Sequence, residues 1–136
     1  MITNVPAFAQ TTITNPATIA AACVLGAANA PTNTILAVTA GSDGALLTAL
    51  AVIPRSTVAA GTAYAFSSLD GGVNQFLIGA IAYPAQTITT TSGITPIQFS
   101  FSESTSRRMK AGEQIYIGMT SVATSGAVAD PQWSNF

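Results

Sequence analysis

The sequence predicts an all-β fold: an antiparallel β-sandwich, jelly-roll-like, with an extended N-terminal arm. Three observations predict it. Seven or eight short apolar stretches recur at intervals of about 8 to 15 residues, with turn signals between them, as in sandwiches and jelly rolls. No segment repeats its apolar residues at a helical spacing. The stretch from Thr62 to Tyr83 reads as a hairpin, two apolar arms flanking a structural turn at Asp70, Gly71 and Gly72. Asp-Gly and Gly-Gly readily take the positive φ that tight turns require. With Gly71 and Gly72 central, Phe66 falls opposite Leu77 and Tyr64 opposite Gly79. An aromatic ring in that place covers the gap a strand glycine leaves.

The other elements follow in chain order. Residues 1–16 read as an extended arm, because Pro and Thr disfavour helix. Such an arm either crosses a neighbouring subunit or frays. Residues 17–136 form a single domain. Ala17 to Gly26 is open to two readings. Asn15-Pro16 suits a helix start, but Thr18, Ile19, Cys23 and Val24 favour a strand, and no polar face repeats at helical spacing. Asn33–Ala40 and Leu46–Ile53 are apolar on both faces, which predicts central strands. Pro54 ends the second, since proline cannot donate to the ladder. Ile88–Thr91 reads as a Thr-rich edge strand. Ile97–Ser102 alternates, with Ile97, Phe99 and Phe101 on one side and Gln98, Ser100 and Ser102 on the other. Ile115–Val122 is the last strong strand, with Ile115, Ile117 and Met119 on one face. Gly126–Phe136 adds at most a short edge strand, ended by Asp130-Pro131, with Trp133 and Phe136 as tail anchors.

Charge is scarce. Four basic and five acidic residues give a net charge of −1, and charged residues make up only 7 % of the chain, against about 25 % in ordinary soluble domains. Apolar residues make up 49 %. A free monomer uses surface charge to stay soluble and to guard its strand edges. The deficit predicts a surface covered by partners, with a neutral Thr-rich monomer as the plain alternative. Arg107, Arg108 and Lys110 sit in one short segment, and Arg55 is the only other cation. That distribution is no stripe for phosphates, so nucleic acid is not an expected partner. The trio, with Trp133 and Phe136, supplies the candidate partner contacts.

A membrane is not expected either. The best apolar run, Ala17 to Ala30, is about 14 residues long, against roughly 20 needed to span, and proline interrupts its surroundings. Cys23 is the only cysteine, so no internal disulfide forms. The absence of histidine removes the commonest general base and metal ligand. Asp43 and Asp70 precede glycine in turns, where backbone bonding explains them. No catalytic residue, cofactor or metal site is expected. Trp133, Tyr64, Tyr83 and Tyr116 leave one rival reading, a carbohydrate-binding module that stacks sugars on exposed rings.

Four pieces together resemble a known family: TNTILAVTAGSDGALLTALAVIP (32–54), SSLDGG (67–72), MKAGEQIYIG (109–118) and WSNF (133–136). Their order is similar to that in small β-sandwich structural proteins of tailed bacteriophages, encoded near the major capsid protein. The resemblance covers roughly residues 17–136 and carries no catalytic residue across. It implies a head decoration (cement) protein on the capsid surface, with the major capsid protein or other virion proteins as partners. A tail, neck or fibre component is the alternative from the same gene block. Closed cyclic symmetry, with a trimer favoured, would bury the neutral edges of a homo-oligomer.

Overall fold

The computed structural model describes residues 11–102 and 104–136. Among the described residues, ten strands make two antiparallel sheets that pack as a β-sandwich. The strands are β1 (Thr11–Thr14), β2 (Ala17–Ile19), β3 (Ile35–Thr39), β4 (Ala45–Pro54), β5 (Gly61–Ser68), β6 (Phe76–Tyr83), β7 (Ile97–Gln98), β8 (Arg107–Met109), β9 (Gln114–Met119) and β10 (Ala127–Asn135). One sheet has the order β1-β10-β4-β7, with β2 also on β10 and β8 also on β4; the other is β3-β9-β5-β6. Of the expected arm, Thr11–Thr14 is β1, paired with β10; residues 1–10 lie outside the described residues.

The core fills the space between the sheets. Leu47, Leu50 and Val52 from β4 meet Ile115, Ile117 and Met119 from β9, with Ala129 and Trp133 from β10. The shared inward face expected of Ile115, Ile117 and Met119 is therefore present. Strand β4 is central, as its apolarity predicts. Its buried set changes phase, from Ala45 and Leu47 to Leu50, Val52 and Pro54. The register shift opposite Gln132 and Trp133 leaves Thr48 as the extra residue, and the Thr48 hydroxyl donates to the Gln132 carbonyl at 3.1 Å. A bulge of this kind re-aims every side chain beyond it.

Four expectations need correction. Strand β3 is an edge of its sheet, not a central strand; its second apolar face has another use, described below. Residues 88–91 form no strand. Thr89 and Ser92 bond each other's backbone amides through their hydroxyls, at 2.7 and 3.1 Å, which offers the chain an alternative to a ladder. Ile97–Ser102 keeps its alternation, but only Ile97–Gln98 is strand, with Phe99 N–H extending the pairing to the Leu50 carbonyl at 2.9 Å.

The largest correction concerns the C-terminal segment. Asp130-Pro131 does not end it. Strand β10 runs nine residues through both and lies inside its sheet. The geometry explains how proline fits. Leu50 gives its carbonyl to Phe99, so its partner Pro131 turns its own backbone toward β1 and β2. Those two strands keep one register along β10, with Thr14 opposite Gln132 and Ala17 opposite Ala129. Asn15-Pro16 therefore falls opposite Asp130-Pro131, where the ladder is already broken and no donor is missed.

Substitution should separate the two faces of the four-stranded sheet. We expect Ile117→Ala to cost about 2–5 kcal/mol in urea unfolding, because Ile117 is fully buried. Leu77→Ala, half-exposed, should cost less than about 1 kcal/mol.

Candidate assembly face

The outer face of the four-stranded sheet carries an apolar row that crosses all four strands. Leu36 lies opposite Tyr116, Tyr116 opposite Phe66, and Phe66 opposite Leu77. Directly paired residues share a face. Phe66 is only 2 % exposed, whereas Leu36 and Leu77 at the two ends are 43 % and 49 % exposed. The Phe66–Leu77 pair is the one expected from the hairpin. Tyr64 instead faces Ala80, because a register shift between Ala65 and Phe66 puts Gly79 opposite Ala65. The ring over Gly79 is Phe99, from the facing sheet, 3.3 Å from where a Cβ would stand.

Two loops wall this row. The hairpin loop, residues 69–75, is longer than the tight turn expected. Both Gly71 and Gly72 have positive φ, at 74° and 93°. The Ser68 hydroxyl accepts the Gly72 N–H at 2.9 Å and donates to the Asp70 carboxylate at 2.8 Å. That carboxylate also accepts the Asn74 N–H at 2.9 Å and Asn74 Nδ2 at 2.8 Å. The Asn74 bonds, then Ser68, hold the Asp70 carboxyl below the usual carboxylate range. This network spreads the turn over seven residues and folds it back on the sheet. A Cβ on Gly72 would stand 2.5 Å from the Tyr116 hydroxyl.

The second loop, residues 20–34, lies along β9. Cys23 N–H donates to the Met119 carbonyl at 2.7 Å, and a Cβ on Gly118 would stand 2.7 Å from the Cys23 Cβ and Sγ. Glycine at 118 thus lets the loop touch the sheet. Burial pushes the Cys23 thiol up. The loops also join each other, through Gln75 N–H to the Asn29 carbonyl at 2.9 Å and Thr34 Oγ1 to Gln75 Oε1 at 2.8 Å.

Among the described residues, every large exposed apolar side chain except Ile94 belongs to this face, its walls or the start of β6. They are Leu36, Leu77, Val24, Leu25, Leu69, Val73 and Phe76. Across β3, β5, β6, β9 and both loops the only charged residue is Asp70, and its carboxylate is engaged within its own loop.

The other candidate contacts are spread elsewhere. Arg107 Nε pairs with the buried Glu113 at 3.3 Å. Arg108 lies over the Phe136 ring, 4.5 Å from its centroid. Both belong to β8. Lys110 is exposed, and its backbone N–H reaches Glu113. Trp133 is 5 % exposed in the core cluster, not a tail anchor, and its Nε1 has no acceptor among the described residues. Tyr83 is buried, with its hydroxyl bonded to Ser121; Tyr64 and Tyr116 are half-buried. These four rings offer no exposed row for a sugar. Among the described residues no three metal-ligating side chains gather, and no helix is long and apolar enough to cross a membrane.

No protein-family model matches the sequence, and no curated protein or solved structure matches it.

Two tests address the loop. Gly71→Val and Gly72→Val should each lose more than about 1 kcal/mol from the positive φ alone, and Gly72→Val more, because the Tyr116 ring must move; urea midpoints measure both. A carboxyl whose folded-state pKa is depressed contributes stability above its unfolded value, near about 4, and loses it as pH falls through the folded value. Wild type should therefore melt above Asp70→Ala at neutral pH, and the two melting points should converge in acid.

Proposed function

We propose that this protein is a non-enzymatic structural subunit of a tailed-phage virion, a head decoration protein that binds and stabilises the capsid exterior. The observation that carries the reading is the apolar face, uncharged but for Asp70. Burying a charge without a partner is costly, and this face avoids that cost against any neutral protein surface. Its exposed part is the rim: Leu36 and Leu77 at the two ends of the row and the apolar side chains of the two loops, with Phe66 covered between them.

The sequence pieces that resemble phage decoration proteins support the same role. They fall on β3 and β4, on the start of the hairpin loop, on β8 and β9, and on the end of β10. The face would meet the major capsid protein at subunit junctions. A tail, neck or fibre position would use the same surface at far lower copy number.

Quantitative mass spectrometry of purified particles of the encoding phage tests the proposal. A ratio to the major capsid protein near parity, or a simple fraction set by the lattice, is expected. A ratio of a few per cent would move the protein to the neck or tail, and absence from particles would sink the virion reading. The double variant Leu36→Asp/Leu77→Asp should fold yet lose at least about 90 % of its occupancy, since two charges would be buried unpaired.

A further inference from the structure

Strand β6 is one edge of the four-stranded sheet, with no strand on its outer side among the described residues. Thr62 gives its carbonyl to Thr120 N–H across the β9 side, so its partner Ala82 turns its N–H and C=O away from β5, and by alternation so does Ala80. Neither group has a partner among the described residues. Edge strands of soluble proteins are normally guarded by charge, proline or brevity. Here eight residues, FLIGAIAY, carry no charge and no proline.

We infer that this edge pairs antiparallel with β6 of a second copy of the chain. The register follows from the free groups. With Ala80 opposite Ala82 of the second copy, and Ala82 opposite its Ala80, all four free N–H groups and their carbonyls close hydrogen bonds. Ile81 then meets its own copy on the two-fold axis. That side chain finds a prepared place. Two apolar clefts run between β6 and the 95–101 segment of the facing sheet, and Ile81 lines both, with Tyr83, Pro96 and Ile97 in one and Ile78, Phe99 and Phe101 in the other. Gly79 falls opposite the bulky Tyr83, and the alanines leave room on the outer side. A charged strand would repel its own copy across the axis; this one does not. The pairing is isologous and closes at two copies, in place of the trimer expected from closed cyclic symmetry. It does not rest on the virion reading, because it belongs to the isolated chain.

Sedimentation equilibrium of the purified chain tests it. Wild type should be a dimer at micromolar concentration. Ala80→Pro removes a donor that β5 does not use, and Ala82→Lys places like charges across the axis. Each should weaken dimerisation at least about tenfold with native circular dichroism retained. Ile81→Cys should oxidise to a covalent dimer, since facing residues of a non-hydrogen-bonded pair approach within about 4.5–5.5 Å, whereas Leu77→Cys should not. A wild-type monomer at about 100 μM, or full dimerisation of folded Ala82→Lys together with no cross-link from Ile81→Cys, would overturn the inference.

Discussion

Strand β10 holds the six-stranded sheet together, because β1 and β2 reach that sheet only through it and β4 takes it as a second neighbour. Its inward side sets the core at that end, with Ala127, Ala129, Pro131 and Trp133 all buried. Without β10, β4 would expose Leu47, Leu50 and Val52 along an open edge. The proline within it is tolerated because its backbone faces the break at Asn15-Pro16. Two prolines that each look like strand terminators thus share one gap, and the sheet continues on either side.

A second economy lies in the polar surface. Hydroxyls and amides satisfy turns where other proteins use charge. Gln86 brackets Thr95 with two bonds of 3.0 Å. Ser102, Ser104 and Thr105 bond among themselves, and Tyr83 anchors Ser121. Neutral bonds of this kind are far less sensitive to ionic strength than surface ion pairs. In the walls of the apolar face Ser68, Gln75 and Asn33 serve the backbone in the same way.

The strands with local signals were legible from the residues. The hairpin arms, the Phe66–Leu77 pairing, the positive φ of Gly71 and Gly72, and the inward face of Ile115, Ile117 and Met119 all follow from patterns within about ten residues. What failed depended on distant partners. Nothing near Pro131 reveals that Asn15-Pro16 lies opposite it, so the segment read as a terminus, and Trp133 read as an anchor instead of core. Leu36 made β3 look central because its outward face is apolar; its true neighbours, Tyr116 and Phe66, come from strands far along the chain. The seven-residue hairpin loop depends on Ser68, Asp70 and Asn74 acting together, where the glycines alone suggested a tighter turn. The apolar row was out of reach for the same reason, since its register requires three separate pairings.

The pairing of Thr11 with Asn135 has a kinetic consequence. Loop closure costs entropy that grows with the logarithm of the separation, and topologies dominated by distant antiparallel pairs fold in milliseconds to seconds, not microseconds. The four-stranded sheet draws on residues 35–119 alone, whereas the six-stranded one spans 11–135. Both sheets therefore close over long separations, Ile35 with Ile117 in one and Thr11 with Asn135 in the other. Until they close, the inner sides of both sheets and the uncharged β6 edge are open together, which makes dilution and low temperature the favourable conditions for recovering this fold from denaturant.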